Sequence, residues 1–318
     1  LVWLVDAKKG GAHQAEVAYQ TPGMTWWADY NVTLRGDERD CAMDLAAWVT
    51  VVNQSGGSFP NARLKLVAGE VNRAPAAPAP APMAKYAVMA SEAVADQGFQ
   101  ESELFEYHLY TLGRRTDLPD QSTKQLELFP AATGANCRRE LVFTGSPAPW
   151  RHWNSPLLDQ GYGATSDGTV GAYLEFDNKE ANRLGMPLPA GRVRVNQASA
   201  DGNLEFIGED LIQHTPRNET LRIKLGEAFD VVGERKQVSF AYDEANKRIT
   251  ERFEISVRNR KKTSAKVTVR EYLYRWSEWT ITDESHPHVR QDASTADFKL
   301  DIPADGEAKV AYTVRYQW

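Results

Sequence analysis

The chain has 318 residues, 42% of them hydrophobic and 25% charged, which supplies a sizeable core and excludes wholesale disorder. Lys and Arg total 37 against 43 Asp and Glu, a net charge of -6, so the strong basic field that a general nucleic-acid binder needs is missing. No apolar run approaches the ~18 residues that span a bilayer as a helix, and no transmembrane segment is expected.

From end to end the pattern is one of short strands broken by turns. Leu1-Val2-Trp3-Leu4-Val5 is only a strand's length and runs into Asp6, Lys8 and Lys9. With neither an initiator Met nor a signal peptide, the sequence is expected to be the remainder of a longer chain. Period-two alternation predicts strands over residues 16–19, 25–34, 46–53 and 62–67. Residues 74–83 read Ala-Pro-Ala-Ala-Pro-Ala-Pro-Ala-Pro-Met. They cannot enter a central strand, because Pro lacks the ladder donor, and an extended linker or arm is expected. The Ala-rich residues 84–98 are the one serious helix candidate. Strands resume over 104–112, 124–129, 139–144, 172–176, 192–196, 204–206 and 220–225. A hairpin joins 237–242 to 248–257 across Asp243-Glu244-Ala245-Asn246. The basic run Arg258-Asn259-Arg260-Lys261-Lys262 lies between strand-like segments, where a solvated hairpin tip accounts for it. Residues 295–302 are expected to pair with 307–316 through Pro303-Ala304-Asp305-Gly306, a sequence suited to a turn.

These signals predict an all-β fold of two to three antiparallel immunoglobulin-like or larger β-sandwich units with little helix. Residues 1–73 begin one sandwich, 74–98 form the linker or arm, 99–148 complete that sandwich, and 149–318 make a C-terminal sandwich region. One element recurs. Trp48-Val-Thr-Val-Val-Asn53, Tyr173-Leu-Glu-Phe-Asp-Asn178 and Phe253-Glu-Ile-Ser-Val-Arg-Asn259 each end a strand on Asn before a loop and an alternating return strand. Asn tolerates left-handed backbone and closes Asx-turns, and three similar units are expected. Cys41 and Cys137 are the only cysteines. They cannot make a tetrahedral zinc site alone; one disulfide or two free, partly buried thiols are both compatible with the sequence.

Several longer runs carry a resemblance. They are Trp3-Leu-Val-Asp-Ala-Lys-Lys9, Thr25-Trp-Trp-Ala-Asp-Tyr30, Asn53-Gln-Ser-Gly56 and Leu64-Lys-Leu-Val-Ala-Gly-Glu-Val-Asn72. Further along come Glu106-Tyr-His-Leu-Tyr-Thr-Leu112, Gly185-Met-Pro-Leu-Pro-Ala-Gly191, Gly208-Glu-Asp-Leu-Ile-Gln-His-Thr-Pro216 and Gly226-Glu-Ala-Phe-Asp-Val-Val-Gly-Glu-Arg235. Together they resemble a conserved bacterial family, domain of unknown function 4139, also found in mucoidy-inhibitor-A-like proteins. The resemblance covers essentially the whole chain. It implies a β-rich, usually exported protein with an additional N-terminal portion, and hence a periplasmic, outer-membrane-associated or secreted location. It brings no chemistry to particular residues.

No nucleophile elbow, dinucleotide or phosphate-binding glycine loop, His-Glu-x-x-His or calcium-loop pattern occurs. Four places hold candidate chemistry. Glu106 and His108, two apart on an expected strand, share one face. A carboxylate there can set the tautomer of the imidazole for base or metal chemistry, or the two form a buried hydrogen-bonded pair. Glu209, Asp210 and His214 can hold a metal or place an acid beside a base, or simply cap their own loop. Glu271 falls on the apolar face of Val267, Val269 and Leu273, where a carboxylate must be paired, neutral or at an edge. It reads as a catalytic acid, as the partner of a buried Arg, or as a residue turned outward by a bulge. Trp276 and Trp279, in Arg275-Trp-Ser-Glu-Trp279, offer cation–π packing or a sugar-stacking platform. Trp26 and Trp27 pose the same question, one facing in and one out, and Trp150 and Trp153 add to a total of nine Trp. His286-Pro287-His288 is a weaker metal signal.

Three functions follow. The preferred one is a non-enzymatic cell-envelope binding or assembly module that meets a protein or glycan partner, or self-associates, through sheet edges, aromatic faces or the 74–83 arm. The second is a carbohydrate-active enzyme with a carboxylate pair beside Trp residues. The third is a metal-binding module using His108 or His214. No catalytic residue, cofactor or nucleic-acid partner is expected.

Overall fold

The computed structural model describes residues 6, 8–36, 40–69, 98–147, 155–199 and 201–318. The arm at 74–83, the helix expected over 84–98 (all but its last residue), Trp150 and Trp153 lie outside them.

The strands in chain order are β1 (Met24–Arg35), β2 (Ala42–Asn53), β3 (Phe59–Ala62), β4 (Lys65–Ala68), β5 (Phe99–Leu104), β6 (Tyr107–Leu112), β7 (Thr116–Leu118), β8 (Ser122–Asn136), β9 (Arg138–Phe143) and β10 (Val170–Asp177). They continue with β11 (Gly191–Ala198), β12 (Leu204–Ile212), β13 (Thr220–Glu227), β14 (Val231–Asp243), β15 (Arg248–Asn259), β16 (Ala265–Tyr272), β17 (Trp279–Glu284), β18 (His288–Arg290), β19 (Thr295–Ile302) and β20 (Glu307–Gln317). Among the described residues the one helical element is a 3-10 turn, Glu180–Asn182. The expected all-β, sandwich-forming architecture is what the chain adopts.

Three sheets carry the fold. A five-stranded sheet runs β12-β11-β1-β2-β8, a six-stranded sheet β13-β10-β9-β16-β19-β18, and a four-stranded sheet β14-β15-β20-β17. Small sheets, β4-β6-β5 and β3-β7, complete one end. Alternation decides which faces meet: β1 buries Ala28, Tyr30, Val32 and Leu34, and β2 buries Met43, Leu45, Ala47 and Val49. These side chains pack against Leu66, Tyr110 and Leu112 of the small sheet and Leu174, Phe176, Leu221 and Ile223 of the six-stranded sheet, forming the first core. The second core lies between the four-stranded sheet (Phe253, Ile255, Tyr312, Val314) and Phe143, Val267, Val269 and Phe298 of the six-stranded sheet. That sheet therefore serves both cores. Gly233 on β14 permits one close approach, because a Cβ there would lie 2.2 Å from the Phe143 ring.

Several expectations are corrected. Two pairings are parallel, β1 with β11 and β9 with β16, so the sheets are mixed rather than purely antiparallel. Residues 16–19 form no strand and are exposed; alternation there has no partner edge to satisfy it. The segment expected at 204–206 continues to Ile212 through a bulge. Residues 303–306 do not close a hairpin: β19 pairs with β16 and β18, whereas β20 pairs with β15 and β17. The chain crosses from one sheet to the other there, which places Phe298 over Tyr312 with ring centroids 5.3 Å apart.

The recurring Asn residues do more than close turns, and they span two cores rather than three. Asn53, Asn178 and Asn259 are all buried. Asn53 Nδ2 donates to the carbonyls of Gly57, Leu118 and Pro119 at 2.9, 3.0 and 3.0 Å. Asn259 Nδ2 does the same to Thr263, Ile302 and Pro303 at 2.8, 3.3 and 2.9 Å, and Asn178 Nδ2 to Met186 and Pro216 at 2.7 and 3.0 Å. Each side chain ties its own loop to a distant segment that ends on Pro, satisfying carbonyls that would otherwise be buried unpaired. None of the three has positive φ, so left-handed tolerance is not the reason for Asn. Cys41 and Cys137 form a disulfide across a separation of 96 residues, with Cα atoms 5.1 Å apart.

Candidate functional site

Glu106 and His108 do not share a strand. Phe105 and Glu106 form the two-residue tip of the β5–β6 hairpin, and Phe105 takes φ 57° and is 88% exposed. Neither tip residue is Gly, Asn or Asp, so the turn carried no local signal. His108 pairs instead with Glu101 on the neighbouring strand, Nδ1 to Oε1 at 2.8 Å. The carboxylate can only accept, so Nδ1 donates and Nε2 is left as the acceptor of the neutral ring.

Glu209, Asp210 and His214 also separate. Glu209 lies on the outer face of β12, where it meets Arg192 at 2.7 Å and Arg194 at 3.4 Å. Asp210 accepts from the backbone N–H groups of Leu211 and Lys224, both at 2.8 Å, and so stitches β12 to β13. His214 Nδ1 accepts from the Ala190 N–H at 3.0 Å, which leaves the proton of the neutral ring on Nε2.

One grouping does assemble. Glu106, His108 and His214 line a cleft of about 190 Å³ together with Gly69, Tyr110 and Leu188. Its wall is rigid: the hydroxyls of Tyr30 and Tyr110 donate to the carbonyls of Pro189 and Pro187, both at 2.8 Å. Burial pushes both phenol pKa values up, so they remain donors. A Cβ at Gly69 would lie 2.6 Å from the Tyr107 ring, and only Gly fits there. Among the described residues no three His, Cys, Asp or Glu side chains converge as a metal-ligand set.

Glu271 is fully buried in the second core. Arg235 Nε donates to its two oxygens at 3.1 and 2.9 Å, and the Tyr312 hydroxyl donates at 2.5 Å. Burial pushes its carboxyl pKa up, and Arg235 and Tyr312 oppose that. Beside it Glu251 Oε2 lies 2.7 Å from Arg275 Nε, both side chains fully buried. Arg275 also donates to the carbonyls of Leu157 and Asp159 at 2.8 Å each, and Arg235 to that of Gly163. The two arginines thus hold the 157–163 loop against the sandwich, a structural use of buried charge. Trp279 is buried, with Nε1 donating to the Ala293 carbonyl at 2.7 Å and Arg290 4.3 Å from its ring centroid. Trp276 packs half-buried against the second core. Neither forms an open platform. His288 Nδ1 meets Glu284 at 2.6 Å and His286 Nδ1 meets the Ser285 hydroxyl at 3.0 Å, so the two imidazoles bond separately. Glu106, Glu209 and Glu271 occupy a hairpin tip, an outer face and an interior, so no two of them face each other across one cleft.

An open aromatic face exists elsewhere, on the five-stranded sheet. Alternation sends Trp26 inward and Trp27 outward, and Trp27 is 43% exposed. Asp29 stands opposite Trp48 and Trp27 opposite Thr50, so the two outward indoles are diagonal cross-strand neighbours. The parallel β1–β11 pairing sets Asp29 beside Arg192 and Asn31 beside Arg194. The next strand adds Leu211 and Glu209. Leu211 is 67% exposed and Phe206 60%. No described strand packs across this face.

The sequence profile of the family described as Domain of unknown function (DUF4139) matches residues 15–318. The chain belongs to this family. Comparison with curated proteins gives no match. In this DUF4139 chain, Trp48, Asp29, Arg192 and Arg194 are the residues that the sequence did not mark. Alternation gives their outward direction, but nothing local announces that β11 lies beside β1.

Proposed function

We propose that the protein is a non-enzymatic binding module of the cell envelope, periplasmic, outer-membrane-associated or secreted, and that it meets its partner on the outer face of the five-stranded sheet. The observation that carries this reading is that no described strand packs across this face, on which Trp27, Phe206 and Leu211 are exposed and Trp48 is half-buried, beside Arg192, Arg194 and Asp29. Exposed apolar groups rimmed by polar ones mark interaction surfaces, and Trp and Arg are the residues that anchor them. The disulfide supports an oxidising compartment, since such bonds persist outside the reducing cytosol. The buried carboxylates weigh against turnover: Glu271 and Glu251 are each held by an arginine in an interior and are not aimed into a cleft.

Co-sedimentation of the purified chain with isolated envelope material tests this. Trp27→Ala and Arg192→Ala should each weaken retention about tenfold, consistent with losing one anchor of a binding surface. His214→Ala, in the cleft, should leave it unchanged. Retention indifferent to both face substitutions would overturn the reading.

A further inference from the structure

We infer that the ligand of this face is an uncharged glycan chain, stacked on Trp27 and Trp48 and hydrogen-bonded by the charged residues beside them; this rests on the binding-face reading above. The first argument is the arrangement of apolar groups. Two outward indoles, Trp27 exposed and Trp48 half-buried, sit diagonally on adjacent strands, roughly 7 Å apart at their attachment points. Two or three linked sugar rings can span that distance, and each presents a C–H face that an indole covers. Phe206, on β12 opposite Asn196 and Thr33, is a more distant ring, about 14 Å across the sheet from β2 and about 13 Å further along the strands than Trp48.

The second argument is charge. Every arginine described on this face has an acidic partner: Arg192 with Glu209 at 2.7 Å, Arg194 with Glu209 at 3.4 Å and Asp29 at 3.9 Å, and Arg35 with Asp44 at 2.6 Å. Asp29 also accepts from the Thr50 hydroxyl at 3.2 Å. A face whose positive charges are answered in place attracts no polyanion, which sets it apart from the single-stranded nucleic-acid platforms that combine aromatic stacking with an electropositive groove. What it offers instead is fixed guanidinium donors and carboxylate acceptors side by side. A pair of sugar hydroxyls, each both donor and acceptor, can engage both at once. A flat protein partner would demand a drier centre than this lattice of ion pairs gives.

The test is isothermal titration of cellohexaose, maltohexaose and chitohexaose, with intrinsic Trp fluorescence read in parallel. At least one should bind with a Trp emission change. Trp27→Ala and Trp48→Ala should each weaken that binding tenfold or more, and Trp27→Phe should restore most of it while all variants keep the wild-type melting profile. Raising the salt from low to about 0.5 M should change the affinity less than twofold, since no net charge is neutralised. Failure of all three sugars to bind overturns the inference. If envelope retention still depends on Trp27 but is abolished by protease treatment of the envelope material, the face reading stands and the glycan identity falls. Concentration-dependent dimerisation lost in Trp27→Ala would assign the face to a second copy of the chain and overturn the inference as well.

Discussion

The two sandwiches solve the same packing problem with opposite uses of charge. In the first, the described buried polar groups are uncharged, chiefly tyrosines bonded to proline carbonyls and the asparagines Asn53 and Asn178 that tie loops down, and ion pairs stand outside on the five-stranded sheet. In the second, two Arg–Glu pairs are fully buried at one end, and they reach out to hold the 157–163 loop. Charge on an open face is free to meet a ligand; charge sealed in an interior is committed to the fold. The difference is why we propose the binding face on the first sandwich, although the denser cluster of ionisable groups is in the second.

The largest test of that contrast is to remove one carboxylate from each sandwich. Glu271→Ala leaves Arg235 buried without its counter-ion, a change that costs about 3–5 kcal/mol. In a protein of this size that lowers the melting temperature by about 10 °C. Glu209→Ala removes an exposed carboxylate shared between two arginines and should cost at most about 1 kcal/mol. Calorimetric melting of the two variants decides the matter, and similar shifts would mean that the two sandwiches do not differ as described.

A smaller effect sharpens the comparison from the other side. The disulfide belongs to the first sandwich, joining the start of β2 to the β8–β9 junction. Replacing Cys41 and Cys137 together by Ala, or adding reductant, should cost about 2–4 kcal/mol through loss of a long-loop constraint. Hydrogen exchange should then show amides of β1, β2 and β8 losing protection before those of β15 and β20. Uniform loss would mean that the shared six-stranded sheet couples the two halves into one unfolding unit.

Much of this is legible in the sequence. Alternation gave most strands because the sheets have one buried face, and it gave the outward direction of Trp27. The position of Glu271 among Val267, Val269 and Leu273 required a buried partner or an edge, and Arg235 is that partner. What alternation cannot give is which strand lies beside which. The parallel pairing that puts Arg192 against Asp29 joins segments more than 160 residues apart, and the crossing at 303–306 looks locally like any tight turn. The Phe105-Glu106 turn was invisible for another reason. Phe holds a left-handed backbone there, at a cost that only the surrounding hairpin compensates. The asparagines lay between these extremes: the Asx-turns were readable, but not their reach to Pro119, Pro216 and Pro303.

The smallest expected effect concerns acid, where the two sandwiches should behave alike. The Thr220 hydroxyl on the first sandwich, with Lys179 and Arg138 nearby, holds the Asp177 carboxyl below its ordinary range. On the second, the Ser294 backbone N–H and the Thr295 hydroxyl hold Asp292 low. A carboxyl whose folded-state pKa is depressed stabilises the fold above its unfolded pKa, and that contribution is lost as pH falls through the folded value. The melting temperature should therefore hold steady down to about pH 4, the ordinary carboxylate range, and decline below it. Asp177→Asn and Asp292→Asn should each lower the neutral-pH melting temperature by no more than about 2 °C, since both groups are largely solvated. Each should also flatten part of the acid decline. Melting curves from pH 7 to pH 2 would measure this, and a slope that is unchanged in both variants would show that the acid sensitivity resides in the buried Arg–Glu pairs of the second sandwich and not in Asp177 and Asp292.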